Sequence, residues 1–193
     1  PYSQNLDLDN FIELNGVNLE TINFSVLMDN DKSIDVDLKT LQKKNEVLLL
    51  PVSNDASSIK IISQVKVFPK ENTSLEGLYE SNQMFCTQCE PEGFRKITWF
   101  TDRPDCLAIF KVRIEASKRY STMLSNGNLI EEGIVKDKGI NSERHFKIWS
   151  DPFPKPSYLF ALVVGNLELS ESSFTTSSNK NIKLQIFTEI GNK

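Results

Sequence analysis

The chain has 193 residues, 39% hydrophobic and 25% charged, proportions close to those of ordinary globular domains. Its 22 Lys and Arg against 26 Asp and Glu leave a formal charge of −4 with no basic block, which argues against a nucleic-acid partner, because counterion release needs a clustered cationic face. The longest apolar run, YLFALVV at 158–164, is far too short to cross a bilayer.

The opening segment, PYSQNLDLDN, is polar and acidic and does not read as a signal peptide. Three cysteines cannot pair completely, so reduced thiols and a cytoplasmic setting are expected. A first strand is predicted over Phe11–Leu14. Asn15-Gly16 in LNGVN follows, a strong hairpin signal because both residues tolerate positive φ. Ile22, Phe24, Val26 and Met28 then alternate with polar residues, as do Ile34, Val36 and Leu38. This period of two predicts half-buried strands, apolar side inward. LKTLQKKNE leaves room for one or two helical turns. VLLL at 47–50 is continuously apolar and reads as a central strand covered on both sides.

Ile59, Ile61, Val65 and Val67 keep one parity, and Phe110, Val112 and Ile114 alternate with Lys111, Arg113 and Glu115. A second Asn-Gly, in LSNGN at 124–128, predicts another hairpin. Phe146 and Ile148 alternate in RHFKIW, and Pro152, Pro154 and Pro156 make a stiff, extended entry to YLFALVV, the second expected central strand. SSNKN at 177–181 is a looser turn before Ile182, Leu184 and Ile186. No window of a dozen residues carries the helical period. The expected fold is one all-β domain over residues 1–193, an antiparallel sandwich with room for a third small sheet. Both ends lead directly into or out of strands, as in a fragment of a longer protein.

MFCTQCEPEGF at 84–94 holds the chemistry. Cys86 and Cys89 have the spacing of redox and zinc pairs, but in an extended segment residues three apart diverge. A structural zinc site needs about four ligands, and only Cys106 and the lone His145 remain; His145 falls on the polar side of its alternation, as a surface or strand-edge residue. A redox dithiol belongs to a βαβ setting that this pattern lacks, so buried, inert thiols are expected. Gln88 and Glu90, by contrast, share a face just before Pro91 turns the chain. A carboxylate beside an amide oxygen can receive an ammonium group; two solvated polar residues would look the same in sequence. TDRPD at 101–105 pairs Arg103 with Asp102 and Asp105 in a tight turn, and Asn72-Thr-Ser matches a glycosylation acceptor without use in the cytoplasm.

ENTSLEGLYESNQMFCTQCEPEGFRKITWFTDRPDCLAIFKVRIEASK at 71–118, MLSNGN at 123–128, DPFPKPSYLFALVVGNLE at 151–168 and FTTSSNKNIKLQIF at 174–187 together resemble the N-terminal domain of the aminopeptidase N family, zinc-dependent gluzincin aminopeptidases, in its bacterial-type branch. The resemblance runs from about Glu71 to Phe187 and is looser before. It implies a saddle-like all-β domain, here without the family's first strands, packed on a downstream thermolysin-like catalytic domain. It implies peptide substrates with a free N-terminus, whose α-amine is bound by Gln88 and Glu90, with the Cys-x-x-Cys as scaffold around them. The His-Glu-x-x-His zinc motif, its distal Glu and the Gly-x-Met-x-Asn loop are absent from these residues. The resemblance therefore implies zinc held elsewhere in a full-length enzyme, and a chain that alone binds none and is inactive. A non-catalytic binding or scaffold module of the same fold is the alternative.

Overall fold

The computed structural model describes residues 11–28, 32–35, 42–44, 47–51, 57–135 and 143–192. Among these the chain is built of strands, broken by two short 3₁₀ turns. They pack as two compact units of interleaved segments: Pro1–Glu80, Thr87–Ile109 and Phe153–Ala161 in the first, Ser81–Cys86, Phe110–Pro152 and Leu162–Lys193 in the second.

The first unit contains β1 (Phe11–Asn15), β2 (Glu20–Met28), β3 (Lys32–Asp35), β4 (Gln42–Lys44), β5 (Val47–Pro51) and β6 (Ile59–Lys66). They form two antiparallel three-stranded sheets, ordered β1-β5-β4 and β3-β2-β6. Leu14, Leu48 and Leu50 from one sheet meet Phe24 and Val26 from the other, and Trp99 completes this core. VLLL is central, as expected: Leu48 and Leu50 are buried and their neighbours half-buried, because β5 is paired on both edges. Within LKTLQKKNE, Gln42–Lys44 are strand β4 rather than helix, drawn into the sheet by pairing with β5. The rest of that stretch, with Val36 and Leu38, lies outside the described residues.

The alternation in β2 holds for Phe24 and Val26 but fails at Ile22, which is 57% exposed. The pairing with β6 slips there, Thr21 facing Val65 and Asn23 facing Gln64. Ile22 is the extra residue of a β-bulge, and a bulge reverses side-chain parity. It also lets the Thr21 hydroxyl accept from Trp99 Nε1 at 2.9 Å.

β7 (Gly77–Ser81) leads through Asn82 and Gln83 into β8 (Met84–Gln88). Next come β9 (Leu107–Ser117), β10 (Thr122–Ser125), β11 (Asn128–Val135), β12 (Arg144–Pro156), β13 (Leu162–Gly165), β14 (Leu167–Thr175) and β15 (Asn181–Glu189), which fall in the second unit but for the start of β9 and the end of β12. Here β13 lies between β10 and β8 in one sheet, β12 lies between β11 and β9 in another, and β14-β15 is a two-stranded ribbon. Met123, fully buried, packs with Ile114, Tyr120 and Val164 in the core of this unit. Phe110 and Val112 face inward between exposed Lys111 and Arg113, as the alternation predicts.

Both Asn-Gly pairs turn out to be corners between sheets, not hairpins. β1 and β2 belong to different sheets, as do β10 and β11. Each glycine is needed for space: a Cβ on Gly16 would lie 2.5 Å from Trp99 Cε3, and one on Gly127 (φ +84°) 2.2 Å from the Ser150 carbonyl oxygen. SSNKN does close the β14-β15 hairpin, with Asn179 at φ 60°. YLFALVV is divided: Ser157–Leu159 make a 3₁₀ turn closed by Phe160 N–H on Ser157 O at 3.0 Å. Only Leu162–Gly165 form the expected central strand. Ile182, Leu184 and Ile186 are exposed rather than half-buried, because no other described strand of the unit pairs with or covers their ribbon face.

Candidate functional site

Strand β8 ends at Gln88, and the chain turns through residues 90–93 into a 3₁₀ turn over Phe94–Lys96. Gln88 and Glu90 are exposed while Cys89 between them is buried. Exposure thus alternates across residues 88–90, and both polar side chains are open to solvent where the chain turns. The Gln88 side-chain oxygen accepts from the Glu90 N–H at 3.2 Å. This ties the amide to its own corner and leaves its second lone pair available.

All three cysteines are free thiols. Burial pushes the Cys89 thiol up to about 12; a hydrogen bond from Thr87 opposes this and the nearby Asp102 charge adds to it. A group whose folded pKa is raised stabilises the fold below its unfolded value, near 8.5. That contribution is lost only as pH climbs toward 12. Cys89 should therefore resist a thiol reagent in native protein at pH 8, and titration in denaturant should find three sulfhydryls. Rapid native modification of all three, or fewer than three in denaturant, would contradict this.

Among the described residues no three His, Cys, Asp or Glu gather where a metal ion could bind. His145 is not at a strand edge: it lies in β12, the central strand of its sheet, half-buried opposite Ile134. Its Nε2 is shielded without a hydrogen-bond partner. Sequence position on the polar side did not reveal this, because β11 and β9 close over both edges. Asn72 Nδ2 donates to Glu76 O at 2.7 Å and Leu78 O at 2.9 Å, so its amide is committed to holding its own loop.

The corner is pinned by a pairing that the local sequence pattern did not show, since the sequence set Asp102 against Arg103. Asp102, 6% exposed, accepts through Oδ2 from Arg95 N and Arg95 Nε, both at 3.1 Å. Its Oδ1 accepts from Ser157 Oγ, and its N–H donates to Asn15 Oδ1 at 3.0 Å. Arg95 Nη2 donates to Asp102 O at 2.9 Å and Nη1 reaches Glu92 Oε2 at 3.0 Å. Phe94 stacks edge-on between Phe100 and Phe160, at 5.0 and 5.2 Å between ring centroids. TDRPD is thus divided: Arg103 pairs with Asp105 alone, by two hydrogen bonds of 2.9 and 2.6 Å. Asp102 turns inward to Arg95 because burial demands a partner that neutralises it. Gly-Phe-Arg and Asp-Arg-Pro-Asp were visible as strings, but seven residues of separation hid their pairing.

An all-β chain of paired antiparallel sheets with this corner defines the class: residues 6–159 match the peptidase M1 N-terminal domain, and the chain belongs to that family. It is 45% identical to aminopeptidase N of Caulobacter vibrioides over 142 residues, 74% of this chain and 16% of the relative. It is also 45% identical to aminopeptidase N of Escherichia coli K12 over 152 residues, 77% of this chain and 17% of the relative. The chain thus spans only 16–17% of the length of these relatives. Among solved structures, aminopeptidase A of Legionella pneumophila in complex with aspartic acid superposes with a TM-score of 0.79 at 31% identity, covering 96% of this chain and 21% of that one. An M1 zinc metallopeptidase of Deinococcus radiodurans shares the fold at a TM-score of 0.67 and 14% identity, covering 94% of this chain and 40% of that one.

Proposed function

We propose that the chain is the substrate-amine-binding domain of a zinc-dependent aminopeptidase that removes N-terminal residues from peptides. The observation that supports this reading is that Gln88 and Glu90 are both exposed at one pinned corner, linked through the Glu90 N–H and the Gln88 side-chain oxygen, with Cys89 buried between them. A free α-amine has a pKa of about 7.7–8.0, so most substrate is cationic at neutral pH. Glu90 would supply the opposing charge and Gln88 a hydrogen-bond acceptor, orienting the ammonium. Holding the terminus at a set distance from the scissile bond makes an exopeptidase. The described residues do not fit a zinc site, so the metal, which would polarise the carbonyl and activate water, is assigned to a catalytic domain outside this chain.

Packing on such a domain is supported by the β14-β15 ribbon. Phe174, Ile182, Leu184 and Ile186 fall on one face by register and all are exposed; an uncovered two-stranded ribbon is at best marginally stable, and a contiguous apolar face marks a contact. Three free thiols fit a reducing, cytoplasmic location.

The test uses the full-length enzyme and a peptide with a free or an N-acetylated terminus. Wild type should strongly prefer the free amine, and Glu90→Ala should lose most of that preference. An unchanged preference would refute the assignment. Gln88→Ala removes one hydrogen bond to a charged group and should cost about 1.5–3 kcal/mol in kcat/KM, less than the loss at Glu90; a larger loss at Gln88 than at Glu90 would reverse their roles.

A further inference from the structure

The Gln88–Glu90 corner rests on a residue that never reaches its open side. Gly93 donates its N–H to the Glu90 carbonyl at 2.8 Å. A Cβ at Gly93 would lie 2.6 Å from the Gln88 carbonyl oxygen, 3.0 Å from Cys89 Cα and 3.2 Å from the Glu90 carbonyl oxygen. The backbone of all three corner residues is therefore folded onto the glycine. Its φ of −92° suits any residue, so the requirement is space alone, and the atoms in the way are backbone, which cannot rotate aside.

On the far side Arg95 anchors the same turn. Its N–H and Nε share Asp102 Oδ2, its Nη2 takes the Asp102 carbonyl, and its Nη1 reaches back to Glu92. Asp102 is fixed in turn by Ser157 and Asn15. The turn is thus packed from within by Gly93 and clamped at its exit by Arg95.

We propose that Gly93 and Arg95 are positioning residues that set where the Gln88 and Glu90 side chains stand, and so how tightly an ammonium group is held. The proposal rests on the amine-site reading above. A displacement of a few tenths of an ångström to 1 Å in a substrate-orienting group is enough to cost up to about a hundredfold in rate.

The experiment uses the full-length enzyme carrying Gly93→Ala, Glu90→Ala or both. Three quantities are read: kcat/KM on an aminoacyl chromogenic amide, the inhibition constant of a product amino acid, and that of its deamino analogue, which keeps side chain and carboxylate but lacks the amine. Gly93→Ala should lower kcat/KM by about 10- to 100-fold and weaken the amino acid by a similar factor. The deamino analogue should stay within about twofold, which a merely structural lesion would not allow. In the double variant the loss should fall well short of the two single losses combined, because the Gly93 effect that runs through Glu90 is already gone and only the part through Gln88 remains. A folded Gly93→Ala enzyme within threefold of wild type, beside a Glu90→Ala enzyme that is strongly impaired, overturns the positioning role and leaves the amine site standing. Full additivity in the double variant also overturns it. A Glu90→Ala enzyme near wild type brings down the amine-site reading and this proposal together. If Gly93→Ala does not fold, Arg95→Lys, which keeps the charge and loses the fork, is read by the same three quantities and the same criteria.

Discussion

Replacing Glu90 by Ala in the full-length enzyme should reduce kcat/KM on an aminoacyl amide by roughly a hundred- to several-thousand-fold. The reason is electrostatic. On the amine-site proposal the substrate's ammonium group leaves water on binding, and an unpaired desolvated charge costs on the order of 3–5 kcal/mol, each 1.36 kcal/mol being about tenfold in rate. Glu90 is exposed in this chain, so its removal should leave folding intact, and zinc content should not change. The measurement is kcat/KM with zinc content and melting temperature determined for each variant. A loss of only a few-fold would mean that the amine is bound elsewhere.

Replacing Asp102 by Ala should destabilise the protein by about 3–5 kcal/mol, the cost of breaking a buried pair from one side. Asp102 is 6% exposed, and its loss strands Arg95 Nε, the Arg95 N–H and Ser157 Oγ together. For a chain of this size each kcal/mol lowers the melting temperature by about 2–4 °C, so a fall of roughly 6–20 °C is expected. The control is Asp105→Ala. That carboxyl lies in solvent, held below the usual carboxylate range by its hydrogen bond with Arg103, and exposed pairs contribute little; its loss should barely move the melting temperature. Equal shifts in the two variants would show that burial does not separate these aspartates. Thermal unfolding followed by circular dichroism reads both.

The sequence alone determined what depends on neighbours along the chain. Alternation over two residues placed Phe110, Val112 and Ile114 inward, and the continuous run VLLL marked the doubly flanked β5. The same rule suits the burial seen at the corner, where Cys89 is covered and Gln88 and Glu90 are exposed, because a strand's side-chain period is built into its backbone. What only the tertiary structure decided depends on residues brought together from afar. The two Asn-Gly pairs could announce a turn but not whether the next strand joins the same sheet, since β1 finds its partner in β5 and β10 in β13. The bulge that exposes Ile22 exists only against the register of β6. Asp102 and Asp105 look alike in TDRPD, and burial against Arg95, Ser157 and Asn15 separates them. Gly93 could be read as a flexible turn residue, whereas its role is spatial: the Gln88 carbonyl oxygen occupies the volume a side chain would need. Local periodicity is a property of the backbone and survives in any context, while pairing, burial and close approach are properties of the fold.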